Sequence, residues 1–133
     1  MTDRWATFDC YGTLIDWFDG VRSQLVRLWP DADTEALLTS YLRAEARLQE
    51  GRGTPYREVM AEALEAVGQE QDATVPQNER YALAASLPSW GVFPEVPDAL
   101  RELRARGWKL AILSNTDPDL LDASIRAIDV PID

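Results

Sequence analysis

Histidine is absent from all 133 residues, which removes every mechanism in which an imidazole activates a serine or cysteine. Cysteine is nearly absent too. Cys10 stands alone, so no internal disulfide can form, no cysteine–histidine cluster exists for zinc, and a reducing, cytoplasmic setting is expected. Lysine is limited to Lys109, and the other basic residues are arginines scattered along a chain of net charge −10. Without a basic stripe, nucleic acid is not an expected partner. No apolar run approaches the roughly 20 residues that cross a bilayer. The opening Met1-Thr2-Asp3-Arg4-Trp5 lacks the basic-then-apolar build of a signal peptide, so neither a membrane partner nor export is expected. Any catalysis must rest on carboxylates, hydroxyls, amides and arginine.

What is present is a globular composition, 46% apolar and 27% charged, which favours a folded chain over a disordered one. The length suits one compact unit, or one unit carrying an insertion. The acidic surplus reads as a solvated exterior. A small anionic substrate would need locally placed arginines or backbone N–H groups to overcome that field.

Trp5 to Phe8 is a short apolar stretch ending in Asp9, and Tyr11-Gly12-Thr13 after it is a turn signal in which Gly12 can take a positive φ. Leu110-Ala111-Ile112-Leu113 is a continuous apolar run of the kind found in parallel strands buried on both faces, followed by the polar loop Ser114-Asn115-Thr116. Helical patterns flank the second strand. Val96, Leu100 and Leu103 share a face of a helix ending at Arg106-Gly107. Past the loop, Asp117 can cap and Pro118 can open a helix bearing Leu121, Ile125 and Ile128. Helix, strand, loop and helix in this order argue for a parallel sheet.

Residues 18 to 90 show only helical periodicity. Val21, Leu25 and Leu28 form one stripe; Leu38, Tyr41, Leu42 and Leu48 a second; Val59, Met60, Ala63, Leu64 and Val67 a third. Thr54-Pro55 reads as a cap and first-turn pair, Pro76 as the start of a fourth helix with Tyr81 and Leu87. Breaks fall at Gly51-Arg52-Gly53 and from Gly68 to Pro76. The expected organisation is core over 1–17, helical cap over 18–90 and core over 91–133. Parallel sheets gather their sites at the carboxyl ends of strands, where Asp9 and Ser114 both stand.

Phe8-Asp9-Cys10-Tyr11-Gly12-Thr13-Leu14-Ile15-Asp16 closely resembles the first motif of the haloacid dehalogenase superfamily, and Ile112-Leu113-Ser114-Asn115 resembles its second. Val96-Pro97-Asp98-Ala99-Leu100-Arg101-Glu102-Leu103, leading through Gly107 into that second motif, is similar to the type II 2-haloacid dehalogenases in particular. The resemblance implies an α/β fold: a parallel, Rossmann-like sheet core with an all-helical cap inserted after the first strand. It implies that Asp9 displaces halide from C2 of a short 2-haloacid and forms an ester that water cleaves, without metal or organic cofactor. A carboxylate suits this chemistry, being ionised near neutral pH and a competent covalent nucleophile.

By the same resemblance Thr13 positions the nucleophile, with ordinary helix capping as a competing reading. Ser114 hydrogen-bonds the substrate carboxylate, helped by N–H groups at Cys10 and Tyr11, and Asn115 helps to hold the departing halide. Arg43 is the candidate cap arginine attracting the anion, with Arg47 one turn away as the alternative register. Cys10 fills space beside the nucleophile and Asp16 caps the helix that follows. Tyr11 stands where phosphatases of the superfamily carry a second aspartate as general acid. A phenol, with an ordinary pKa near ~10, substitutes poorly for it.

The family also uses a lysine and acidic or polar residues downstream of the second motif, and Lys109 begins the second strand, about 13–17 Å from the site end. The expectation is therefore a fragment of a hydrolase of roughly 200–250 residues, inactive by itself. Two other functions stay open: a magnesium-dependent phosphatase of the same superfamily, and an inactive fragment whose exposed sheet edge permits a homodimer.

Overall fold

The computed structural model describes residues 2–50 and 53–133. The chain divides into two compact units, one of residues 1–18 with 88–133 and one of residues 19–87.

The first unit is built on two strands, β1 (Arg4–Phe8) and β2 (Trp108–Ile112). They pair in parallel, from Arg4 opposite Trp108 to Phe8 opposite Ile112. The apolar run around Leu110 drives this pairing, but it is not buried on both faces as expected. Leu110 is fully buried, whereas Leu113 lies past the strand and is 77% exposed. The reason is that among the described residues the sheet has only two strands, so each keeps an open edge. Asp133 covers part of the β2 edge: its N–H donates to the Leu110 carbonyl and its carboxylate accepts from the Leu110 N–H, both at 2.9 Å. Arg104 adds an ion pair to that carboxylate at 2.7 Å.

Before β2 runs α5 (Val96–Ala105), with Val96 and Leu100 buried. It stops as expected at Arg106 and Gly107, the latter at φ +85°, a conformation that glycine adopts without strain. After β2 comes α6 (Pro118–Ile128), with Asp117 at its N-cap and Pro118 in its first turn. Its inward face is Leu120, Ser124 and Ile128, rotated by a residue from the expected Leu121 and Ile125, which are only half-buried.

The second unit is helical. The residues between α1 (Trp17–Leu28) and α4 (Ala82–Ser86) also form α2 (Thr34–Gln49) and α3 (Tyr56–Glu70). Asp33 caps α2 by accepting from the N–H groups of Glu35 and Ala36, satisfying donors that the helix itself cannot. Leu37, Leu38, Tyr41 and Ala44 of α2 and Val59, Met60, Ala63, Leu64 and Val67 of α3 are buried. Leu42, expected in the α2 stripe, is 38% exposed.

Three other expectations shift. Pro55, not Thr54, is the cap position of α3, and Tyr56 opens the helix. Pro76 starts only a single 3-10 turn, Gln77–Glu79, and Tyr81 precedes α4 instead of lying within it. Gly68 is no break but belongs to the last turns of α3. Of the break expected at Gly51-Arg52-Gly53, the first two residues lie outside the described residues.

Among its described residues, the helical unit buries one carboxylate. Glu45 is 9% exposed and accepts from the Tyr56 hydroxyl at 3.0 Å and the Gln49 amide at 3.2 Å. Burial raises its pKa above the ordinary 4.5, and the neighbouring phenols of Tyr41 and Tyr56 only partly oppose this. A carboxyl whose pKa is higher folded than unfolded binds its proton more tightly in the folded state. Its contribution is therefore complete at acid pH and is withdrawn as pH rises from the unfolded toward the folded value. Glu45→Gln keeps the acceptor and removes the charge, so thermal unfolding should show a Tm about 2–5 °C above the parent at pH 8 and none of that gain at pH 4. A Tm lowered at pH 8 would mean that the ionised form is the one the unit favours.

Candidate active site

Asp9 is the first residue past β1 and Leu113 the first past β2. The Leu113 N–H donates to the Phe8 carbonyl at 2.9 Å, the bond that closes the parallel ladder at the last pair, Phe8 opposite Ile112. Asp9 and Leu113 thus leave the ladder side by side, from strands about 4.8 Å apart. The nucleophile candidate and the Ser114-Asn115 loop therefore leave the same end of the sheet.

The chain after Asp9 turns back sharply. The Cys10 carbonyl accepts from the N–H groups of Thr13, Leu14 and Ile15 at 3.2, 2.7 and 3.1 Å, and the Gly12 N–H donates to the Ile15 carbonyl at 2.8 Å. Such closure requires Gly12 at φ +91°, where a Cβ would be strained. The turn returns Thr13 to Asp9, and the Thr13 hydroxyl donates to Asp9 Oδ2 at 3.1 Å. Asp9 itself is exposed. Beyond the turn, the Asp16 N–H donates to the Gly91 carbonyl at 2.7 Å, the Phe93 N–H donates to the Leu14 carbonyl at 3.1 Å, and Ile15 bridges Val92 in antiparallel sense. The segments on either side of the helical residues are thus stapled together within the sheet unit.

Cys10 is fully buried. Burial, helped by the adjacent Asp9 charge, pushes its thiol up to about 12, so the side chain stays a neutral space-filler and only its backbone can meet a ligand. Tyr11 is half-buried, its ring edge-on to Trp90 with centroids 6.5 Å apart. Its hydroxyl shares a hydrogen bond of 3.0 Å with Ser124 Oγ. Burial raises the phenol above its ordinary pKa, partly opposed by the Ser124 hydrogen bond. Thr116 also favours the phenolate, yet its buried Oγ1 falls outside hydrogen-bond geometry; we read it as an electrostatic neighbour only.

Ser114 is half-buried and Asn115 exposed in the loop before α6. Asp9, Cys10, Tyr11, Thr13, Ser114 and Asn115 thus belong to one unit, whereas Arg43 and Arg47 are exposed on α2 in the helical unit. Lys109 sits at the opposite end of β2, paired with Asp3 at 2.9 Å and lying over the Trp5 ring at 5.5 Å. Among the described residues, no group of three or more His, Cys, Asp or Glu is placed to hold a metal ion, and no helix is long and apolar enough to cross a membrane.

Sequence reasoning missed Trp90 and Ser124. A signal for Ser124 existed: a serine spaced four residues from both Leu120 and Ile128 sits in an apolar stripe, and a hydroxyl there needs a partner.

A family profile described as haloacid dehalogenase-like hydrolase matches residues 4–132. An (S)-2-haloacid dehalogenase of Pseudomonas sp. (strain YL) is 31% identical over 128 residues, which are 89% of this chain and 52% of that protein. The L-2-haloacid dehalogenase RSc1362 superposes with a TM-score of 0.82 at 25% identity, covering 96% of this chain and 59% of its own. The L-2-haloacid dehalogenase from Xanthobacter autotrophicus superposes with 0.79 at 25% identity, covering 96% of this chain and 52% of its own. The chain therefore spans about half the length of the curated relative it matches.

Proposed function

Because the chain belongs to the haloacid dehalogenase-like hydrolases, we propose that its site hydrolyses the carbon–halogen bond of short 2-haloacids through an ester on Asp9. An oxygen of the Asp9 carboxylate attacks C2; the new C–O bond forms as the C–halogen bond breaks, and halide leaves with the bonding pair. Water then adds to the ester carbonyl, releasing the 2-hydroxyacid and a proton and restoring the carboxylate. Thr13 bonds one carboxylate oxygen, which sets the aim of the other.

Ser114 and the N–H groups at Cys10 and Tyr11 suit the substrate carboxylate, Asn115 the departing halide. Arg43 is exposed on α2, as a cation drawing in an anion must be. This chemistry asks for no metal, and a buried neutral cysteine suits a reducing cytoplasm.

The observation that carries the choice of halide over phosphate is Tyr11. It occupies the place of the phosphatase acid, and its hydroxyl is engaged by Ser124 and raised in pKa. Displacing halide needs no proton donor; expelling an alkoxide does. For a full-length protein carrying this site, the expected result is halide release from 2-chloropropionate, unchanged by EDTA, with no phosphate released from p-nitrophenyl phosphate. Phosphate release abolished by EDTA, without halide, would reassign the site to phosphoryl transfer, and silence in both assays would support an inert chain.

A further inference from the structure

Among the described residues of the sheet unit, Ser124 is the one fully buried polar side chain, 1% exposed. It lies on α6 between buried Leu120 and Ile128, where an alanine would fill the stripe without a polar group to satisfy. A hydroxyl withdrawn from water there is unfavourable unless bonded, and its bond runs to the Tyr11 hydroxyl, 113 residues away in sequence.

Tyr11 sits two residues past Asp9 and one before Gly12, at the start of the turn that closes on the Cys10 carbonyl. Its ring is thus held at two places, by Trp90 along the edge and by Ser124 at the tip. Helix α6 begins at Pro118, separated by two residues from the Ser114-Asn115 pair. One hydrogen bond therefore ties the turn bearing Asp9 to the helix that anchors the facing loop, across the ends of two parallel strands.

We propose that Ser124 is a positioning residue for this site: through its bond to Tyr11 it fixes the Asp9 turn relative to the Ser114-Asn115 loop and so sets how tightly the haloacid carboxylate is held. The proposal rests on the reading of the site as a 2-haloacid dehalogenase. Ser124 touches no substrate and acts only through Tyr11.

A double-mutant cycle of Ser124→Ala and Tyr11→Phe tests it, since the second variant keeps the ring and removes the same bond from the other side. Each single variant should raise KM for 2-chloropropionate about three- to tenfold with kcat within about twofold, and the double variant should be no worse than either. Independent, additive increases would show that Ser124 does not act through Tyr11 and would overturn the proposal.

A second measurement does not depend on turnover. In a spectroscopic pH titration of the tyrosines, the component missing from Tyr11→Phe belongs to Tyr11. It should move to higher pH in Ser124→Ala, because that bond favours the phenolate. An unmoved component overturns the proposal even in an active protein. If neither parent nor variants release halide, the dehalogenase reading fails, and the titration alone then decides whether the bond positions Tyr11.

Discussion

Asp9→Asn is expected to lower kcat/KM for halide release by at least about a thousandfold, the largest effect of any single replacement in the chain. An amide oxygen can still accept the Thr13 hydrogen bond seen at 3.1 Å, and the side chain keeps its size, so the turn should fold unchanged. What disappears is the anionic nucleophile. The two halves of this expectation are separable: thermal unfolding should match the parent, while single-turnover incubation with a 2-haloacid should add mass to the parent's Asp9 peptide and to none in the variant. A variant retaining activity within tenfold of the parent, or an adduct on another peptide, would remove Asp9 from the chemistry.

The second large effect concerns stability. Gly68→Ala should destabilise the helical unit by about 1–3 kcal/mol, although alanine is the better helix former. A Cβ on Gly68 would stand 2.5 Å from the Ala73 carbonyl oxygen and 3.2 Å from Val75 Cγ2. The oxygen is backbone and cannot swing away. It is held there because the Ala73 N–H donates to the Gly68 carbonyl at 2.7 Å and Asp72 takes φ +51°, folding the chain back over the helix end in the manner of a left-handed C-terminal cap. Urea unfolding should therefore show a lower midpoint with an unchanged slope. A midpoint at or above that of the parent would mean that the loop yields without cost.

The same glycine shows where sequence reasoning stops. Gly68 read as a helix break because glycine is the commonest punctuation of a helix, and nothing local distinguishes a stop from a place where another segment passes within contact distance. The α6 face was misplaced by one residue for a related reason: apolar periodicity favours Leu121 and Ile125, and the serine that actually turns inward hides the true stripe. Its partner, Tyr11, lies near the other end of the chain, and no periodicity spans that separation. Pro76 suggested a full helix, but the chain makes a single 3-10 turn there and then a short α4.

By contrast, Asp9 and Ser114 were placed correctly at strand ends. Each follows a short apolar run directly, and the glycine turn after Asp9 has a local steric signature that φ +91° at Gly12 satisfies. The Thr13 bond to Asp9 was legible only through the family resemblance, since helix capping competes as the reading of a threonine there. The role of Leu113 was not. Its apolar character speaks for burial, and only the number of strands beside it decides exposure.

The antiparallel staple of Leu14, Ile15 and Asp16 with Gly91, Val92 and Phe93 makes the helical unit a side branch of the chain. Within the sheet unit, the segment that leads out to the helices and the one that returns lie a single strand spacing apart, about 5 Å, much as the two arms of a hairpin meet at its neck. Lengthening, shortening or exchanging what lies beyond that neck leaves the path from β1 to its own closing turn untouched. Variation in the helices thus leaves undisturbed how Asp9 is held.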